Sequence, residues 1–177
     1  ILLIAPGRSI NNNPLIKEYQ QKHKCLTIGI HCVINDIKLD YIFFSNIKRY
    51  EALYNEINNR PTILTSNLLH YKIDNKKYIV KFSRVVWHGE NYNEDSVLMV
   101  LNLLKAIGIS EITIAGFDGV ISGKGDFYIE TLSRNDRPVE YSEKIKQVLI
   151  KEYLNMNILF LTPSYYDDYK EKKNEQK

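Results

Sequence analysis

At 177 residues, the chain has the length of one domain that can bury a core without disulfides or metals. Its 24 Lys and Arg residues against 21 Asp and Glu residues give a net charge of +3, too mild to indicate a nucleic-acid-binding protein. No apolar run reaches the roughly 18 residues that a membrane-spanning helix needs, and we expect no signal peptide. The two cysteines lack metal-binding or redox spacing and indicate free thiols in a cytoplasmic protein.

Short apolar runs alternate with helical patterns along the chain. The apolar runs show no alternation of polar residues, which predicts strands that are buried on both faces, at 1–5, 25–30, 39–44, 61–65, 109–115 and 158–161. Helical spacing between them predicts helices at about 14–23, 48–58, 97–107 and 139–155. This order predicts an α/β fold, a three-layer Rossmann-like sandwich with a mostly parallel sheet.

Two segments are predicted to depart from this order. Residues 71–86 are predicted to form a small β-hairpin insertion that turns near Asp74 and Asn75. Residues 164–177 are charged and repetitive, and we predict a disordered tail there. A single Rossmann-like domain then covers 1–163. Since a core strand begins at Ile1 without an initiator Met, we expect this domain to be the C-terminal part of a longer protein.

The first strand ends in a loop that is a candidate ligand site. Gly7 can take a positive φ and let a ligand approach the backbone, which residues with a Cβ hinder. Arg8 adds a guanidinium and Ser9 a hydroxyl. In open α/β sheets, ligands bind beyond the carboxyl ends of the strands, and this loop lies at such an end. The alternative is an ordinary strand-to-helix loop with a solvated Arg.

Polar residues also follow the other predicted strands. Because parallel strands end at one edge of the sheet, we expect these residues to form a polar rim there. The residues are His31, Asn35, Ser45, Asn46 and Asp118. The amide side chains suit sugar hydroxyls or a nucleobase edge, although Asn is also a frequent turn and cap residue.

Two residues are candidates for catalysis. Asp118 stands between two glycines after a buried strand, where its carboxylate could hold a ribose hydroxyl, a metal or a proton, or could close a turn. His88 lies in a polar loop and could act as an acid or a base, or simply be exposed. No metal site is expected, because the histidines and cysteines lack ligand spacing.

Three stretches of the sequence resemble known families. They read ILLIAPGRS, LDYIFFSNIKRY and EDSVLMVLNLLKAIGISEITIAGFD. Their order resembles the bacterial lipooligosaccharide sialyltransferases, which are Rossmann-like enzymes that use CMP-activated sialic acid. The stretches are more similar to the Rossmann-like domain that follows an HMG-CoA lyase-like aldolase barrel in bacterial surface-polysaccharide proteins. The resemblance covers most of residues 1–120.

The resemblance implies a nucleotide or a nucleotide sugar as the ligand. Gly7, Arg8 and Ser9 would then line the phosphates. Asn46 would face the nucleotide or sugar, Ser96 would lie on the base-binding side, and Asp118 would lie at the rim. The sequence departs from the sialyltransferases in two ways. It has no histidine beyond His88, where they carry a general base, and it places Asp95 near the expected phosphates.

Three functions follow as hypotheses. The first is a nucleotide- or sugar-nucleotide-binding accessory domain of a larger bacterial aldolase-like enzyme in surface-glycan metabolism, with an upstream domain of the same polypeptide as its partner. The second is a self-sufficient glycosyl- or pyrophosphoryl-transferase with Asp118 as base or metal ligand. The third is a structural docking or dimerisation domain, in which the protein's own side chains fill the rim and self-association is expected.

Overall fold

Seven parallel strands form one sheet. The computed structural model describes residues 1–11, 14–57, 60–69, 77–88, 94–120, 126–134 and 138–169. The order across the sheet is β5-β4-β3-β2-β1-β6-β7, and each neighbouring pair is parallel. The strands are β1 Leu2–Ile4, β2 Thr27–Ile30, β3 Tyr41–Phe44, β4 Thr62–Thr65, β5 Lys77–Val80, β6 Glu111–Ala115 and β7 Asn157–Phe160.

Helices cover both faces of this sheet. They are α1 Pro14–His23, α2 Ile47–Ile57, α3 Phe82–Val85, α4 Ser96–Ala106 and α5 Glu140–Glu152. Short 3-10 turns lie at Arg8–Ile10, Ser66–Leu68 and Glu130–Leu132. Among the described residues, none of the helices is long and apolar enough to cross a membrane.

The sheet separates two apolar cores. In β1, Leu3 faces the core formed with α3, α4 and α5, while Leu2 and Ile4 face the core formed with α1 and α2. All three side chains are fully buried, which explains why the sequence of this strand shows no polar alternation. The predicted α/β three-layer sandwich is confirmed.

The chain path creates a crevice at the carboxyl ends of β1 and β6. From β1 the chain passes through α1 on one face to β2, whereas it enters β6 from α4 on the opposite face. A sheet whose strand order reverses in this way opens a crevice at the reversal, and ligands of open α/β sheets bind there.

The second arm of the predicted hairpin is a strand only at Lys77–Val80. Within 77–86, residues Lys77–Val80 form β5, which pairs with β4 in parallel, and Phe82–Val85 form a helix. The predicted turn at Asp74 and Asn75 lies outside the described residues.

The predicted disordered tail is also wrong, as far as Tyr169. Tyr166 and Tyr169 are each only 1% exposed and belong to the core beneath α4 and α5. Asp168 forms an ion pair with the buried Lys146. Aromatic burial therefore holds this segment in place despite its charged composition.

Candidate functional site

A hydrogen-bonded pair, Ser9 and Asp118, spans the crevice between β1 and β6. The Ser9 amide donates to Asp118 Oδ2 at 2.8 Å, and the Ser9 hydroxyl donates to Asp118 Oδ1 at 2.5 Å. Partial burial raises the pKa of the Asp118 carboxyl above its usual value, and the hydrogen bonds from Ser9 offset only part of this effect. The two residues that the sequence placed at one rim are therefore in direct contact.

Gly7 has a different role from the one expected. Its φ is −68°, not positive. Its amide donates to the Gly116 carbonyl at 2.8 Å. A Cβ on Gly7 would lie 2.3 Å from that oxygen and 2.5 Å from Asp118 Cγ. Glycine is therefore required here because the loop after β1 and the loop after β6 meet at close range. The same close approach brings Ser9 to Asp118.

The guanidinium of Arg8 has an internal partner. Arg8 Nη2 lies 2.5 Å from Glu130 Oε2, and the two side chains are 39% and 71% exposed. The segment 126–134 that carries Glu130 is anchored to the first loop, since the Tyr128 amide donates to the Pro6 carbonyl at 2.8 Å. Exposed ion pairs contribute little to stability, so a ligand anion can compete with Glu130 for Arg8.

A second polar cluster lies at the carboxyl ends of β2 and β3. His31 follows β2, Ser45 follows β3, and Ser96 begins α4. His31 Nε2 accepts from the Ser45 amide at 2.9 Å, so the ring hydrogen is on Nδ1, which lies 3.3 Å from Ser96 Oγ. The two hydroxyl oxygens are 3.3 Å apart. We name His31, Ser45 and Ser96 the neutral cluster.

The histidine of the neutral cluster stays uncharged. Burial, with the charge of Arg49 as a second cause, lowers the pKa of His31 to about 3. The Arg49 guanidinium stacks on the Phe127 ring, 3.6 Å from its centroid. The neutral cluster therefore offers hydroxyl and imidazole groups beside a cation, and these groups suit an uncharged polar ligand group.

We expect the stability of the protein to fall between pH 7 and pH 5 because of His31. The pKa of His31 is lower in the folded state than the ordinary value of about 6.5, so the unfolded state binds an extra proton in this range. The stabilisation from the uncharged His31 ring is fully present above the pKa of His31 in the unfolded state. It is lost as the pH falls toward the pKa of His31 in the folded state, about 3. The loss from pH 7 to pH 5 is about 2 kcal/mol.

Urea unfolding at several pH values measures this loss. His31→Asn is the control variant, because His31 has a φ of +52° and Asn tolerates that conformation without an ionisable ring. If the free energy of unfolding of the wild-type protein and of His31→Asn depends on pH in the same way, His31 is not a buried neutral histidine.

Asp95 occupies the amino end of α4. Its Oδ1 accepts from the amides of Val97 at 2.9 Å and Leu98 at 3.2 Å, and its Oδ2 accepts from the Tyr141 hydroxyl at 3.0 Å. The carboxylate is a helix cap, and its negative charge takes the position that a phosphate would need. Ser96 therefore lies beside a helix end that is already occupied by an anion.

Two predicted site residues make local structural contacts, and a third is exposed in a turn. Asn46 caps α2, with its Oδ1 accepting from the Arg49 amide at 3.3 Å. Asn35 is exposed in the turn after β2. His88 is exposed and its Nε2 lies 2.8 Å from the Ser83 carbonyl oxygen. His88 follows β5 and α3, and four strands separate β5 from β6, so the topology does not bring it to Asp118.

The described part of the chain contains no group of three His, Cys, Asp or Glu side chains that could hold a metal ion. Two further carboxylates of the described residues, Asp95 and Asp126, accept hydrogen bonds from backbone amides near them. Asp95 caps α4, and Asp126 accepts from the Arg134 amide at 2.8 Å.

Sequence reasoning missed three residues at this edge. Thr162 lies 2.8 Å from Ser9 Oγ, Glu130 pairs with Arg8, and Arg49 lies near His31. Thr162 had a usable signal, because it follows β7 as the other polar residues follow their strands. Glu130 and Arg49 had none, since their positions depend on the path of a loop and on the first turn of a helix.

Comparison with protein-family models, with curated proteins and with solved structures finds no match to this chain. The class of protein that the fold and the site define is an α/β domain with a parallel sheet and a polar rim at its carboxyl edge.

Proposed function

We propose that this domain binds a nucleotide or a sugar nucleotide at the carboxyl edge of its sheet, as an accessory domain of a larger aldolase-like enzyme in bacterial surface-glycan metabolism. The observation that carries the proposal is the composition of this edge. A guanidinium, Arg8, lies at the end of β1, and the neutral cluster lies at the ends of β2 and β3.

The two parts of the edge suit two parts of one ligand. Arg8 provides the charge that binds phosphate, and it is accessible enough to exchange Glu130 for another anion. The neutral cluster provides half-buried hydroxyls, whose contacts of 3.3 Å are long and leave capacity for sugar or base groups. The carboxylate of Asp95 keeps phosphate away from the amino end of α4. The phosphates of a bound ligand therefore lie toward Arg8.

Ligand titrations with matched variants test this proposal. CMP, UDP and inorganic pyrophosphate are titrated calorimetrically into wild-type protein, Arg8→Ala and Glu130→Gln. Arg8→Ala is expected to weaken binding about ten-fold, because a charge-assisted contact is lost. Glu130→Gln is expected to strengthen binding about two- to five-fold, because the competing anion is gone.

Glu152→Gln is the matched control. It removes one carboxylate charge from a different ion pair, the one between Glu152 and Lys105. These two residues lie near the carboxyl ends of α5 and α4, at the edge of the sheet opposite to Arg8. Its affinity is expected to equal that of the wild-type protein. Equal affinities for all four proteins would show that Arg8 does not contact the ligand.

A docking or dimerisation domain is the second candidate function. The observation that favours it is the internal pairing at the edge, where Ser9 binds Asp118 and Arg8 binds Glu130. It predicts that the wild-type protein binds none of the three ligands and that sedimentation velocity shows self-association at micromolar concentration. Ligand binding by a monomer would contradict it.

A further inference from the structure

The segment 126–134, which we name the strap, touches both parts of the proposed site. Its Glu130 carboxylate pairs with Arg8 at the end of β1. Its Phe127 ring lies under the guanidinium of Arg49, with 3.6 Å between the guanidinium carbon and the ring centroid. Arg49 stands in the first turn of α2, and its charge acts on His31 of the neutral cluster. The strap therefore contacts the loop after β1 and the start of α2 at the same time.

Tyr128 is the residue that fastens the strap to the sheet edge. Its amide donates to the Pro6 carbonyl at 2.8 Å. Its hydroxyl donates to the Val33 carbonyl at 3.3 Å and accepts from the Val33 amide at 3.2 Å, in the loop after β2. Both hydroxyl contacts are long for hydrogen bonds of their kind. Tyr128 therefore holds the strap on two loops of the edge through contacts that are easily broken.

The two ends of the strap are bonded to each other. The Phe127 amide donates to Ser133 Oγ at 3.1 Å, and the Arg134 amide donates to Asp126 Oδ1 at 2.8 Å. Phe127 is only 2% exposed, yet it belongs to neither of the two apolar cores that the described residues form. Tyr128 is only partly buried. A loop that is closed on itself and lies outside the cores can separate from the domain without unfolding it.

We propose that the strap is an autoinhibitory lid, which opens locally and whose Glu130 carboxylate competes with the ligand anion for Arg8. The contacts of Tyr128 keep this carboxylate beside Arg8 in the closed state. An anion that binds Arg8 displaces Glu130 and shifts the strap toward the open state, and by linkage a change that opens the strap strengthens anion binding. The regulation of ligand binding rests on the proposed function, whereas the local opening of the strap does not.

Native-state hydrogen exchange of the wild-type protein, followed by NMR, tests the local opening. The Tyr128 amide is expected to be protected, but roughly 100-fold less than the Ala5 amide, which donates to the Ala115 carbonyl within the sheet. Low urea concentrations should not change its protection, because a local opening exposes little surface. Equal protection of the two amides would show that the strap opens only when the domain unfolds. An unprotected Tyr128 amide would show that the strap is not closed. Either result would overturn the proposal.

Tyr128→Phe tests the role of the hydroxyl. The amide at position 128 is expected to exchange about three- to ten-fold faster than in the wild-type protein, because both contacts with Val33 are lost. Tyr153→Phe is the matched control, since its hydroxyl donates to Asn102 Oδ1 at 2.6 Å and to the Leu98 carbonyl at 3.3 Å. These bonds persist when only the strap opens, so exchange at Tyr128 should not change. Equal effects of the two variants would overturn the proposal.

Glu130→Gln provides a second variant if Tyr128→Phe does not fold. The Glu130 side chain is 71% exposed, so its replacement leaves the packing of the domain intact. Exchange of the Tyr128 amide is expected to become about two-fold faster or more, because the ion pair that holds the strap on Arg8 is weakened. Unchanged exchange in this variant would show that the pair does not hold the strap.

Calorimetric titration with pyrophosphate tests the competition. Tyr128→Phe is expected to bind pyrophosphate about two- to five-fold more tightly than the wild-type protein, because a larger fraction of its molecules has an open strap. Tyr153→Phe is expected to bind like the wild-type protein. Saturating pyrophosphate should in turn speed the exchange of the Tyr128 amide in the wild-type protein. Equal or weaker binding by Tyr128→Phe would overturn the autoinhibition.

The outcomes separate this inference from the proposed function. Pyrophosphate binding that leaves the exchange of the Tyr128 amide unchanged, or slows it, supports the proposed function and overturns the autoinhibition. If neither the wild-type protein nor Tyr128→Phe binds pyrophosphate, CMP or UDP, the proposed function and the autoinhibition are both wrong. The exchange measurements without ligand then still decide whether the strap opens locally.

Discussion

Replacing Tyr166 by Ala is expected to lower the free energy of unfolding by about 3–4 kcal/mol. Tyr166 is 1% exposed, and its ring packs at a tilt against Phe117 with 4.4 Å between the centroids. Removing a buried aromatic ring loses its transfer free energy and leaves a cavity. The cavity would lie directly beneath the loop that carries Asp118.

The neighbouring Tyr165 provides the control. It has the same side chain but is 39% exposed, and its hydroxyl donates to the half-buried Glu143 at 3.0 Å. Tyr165→Ala is expected to cost about 1 kcal/mol or less, as is usual for exposed positions. Urea unfolding of both variants measures the difference. Equal small losses would show that residues 164–169 do not pack on the domain.

The strands could be predicted because their sequences follow a simple rule. A strand that is buried on both faces must be apolar at every position, and β1, β3 and β6 meet this rule almost without exception. The parallel order followed from the helices between them. The same rule does not apply to β5, an edge strand in which Tyr78 and Ile79 are largely exposed, and its partner could not be inferred from pattern.

The tail was mispredicted as far as Tyr169, because composition averages over residues that behave differently. Lys, Glu and Asp dominate 164–177, yet Tyr166 and Tyr169 are buried side chains of the core. Asp168 is itself needed there, because the ammonium of Lys146 is buried and requires a counter-ion. Short aromatic anchors of this kind are invisible to an argument based on mean polarity.

The site could be predicted as a location but not as a set of contacts. Parallel strands end at one edge, so Ser9 and Asp118 meet, and His31 meets Ser96. The spacing of residues in the sequence does not show which polar groups already have hydrogen-bond partners within the protein, because this depends on side-chain geometry. Asn46, which the resemblance places facing a ligand, uses its side-chain oxygen to cap α2, a common use of this amide.

Gly7→Ala is expected to lower the free energy of unfolding by about 3 kcal/mol. The new Cβ would lie 2.3 Å from the Gly116 carbonyl oxygen and 2.6 Å from Asp118 Oδ1. The first contact is with backbone, so the methyl group can be accommodated only if the two loops separate. That separation lengthens both bonds between Ser9 and Asp118, and ligand binding is expected to fall with stability.

Gly108→Ala distinguishes this crowding from an effect of glycine replacement itself. Gly108 follows the end of α4 with a φ of +80°, and a Cβ there would have no atom within 4 Å beyond its chain neighbours. Gly108→Ala is therefore expected to lower the free energy of unfolding by only about 1 kcal/mol, the cost of a positive φ for alanine. If Gly7→Ala costs no more than Gly108→Ala in urea unfolding, the loops are not in close contact. If it costs about 2 kcal/mol more, Gly7 is present because the loop from β1 must touch the loop from β6, and the site between them depends on that contact.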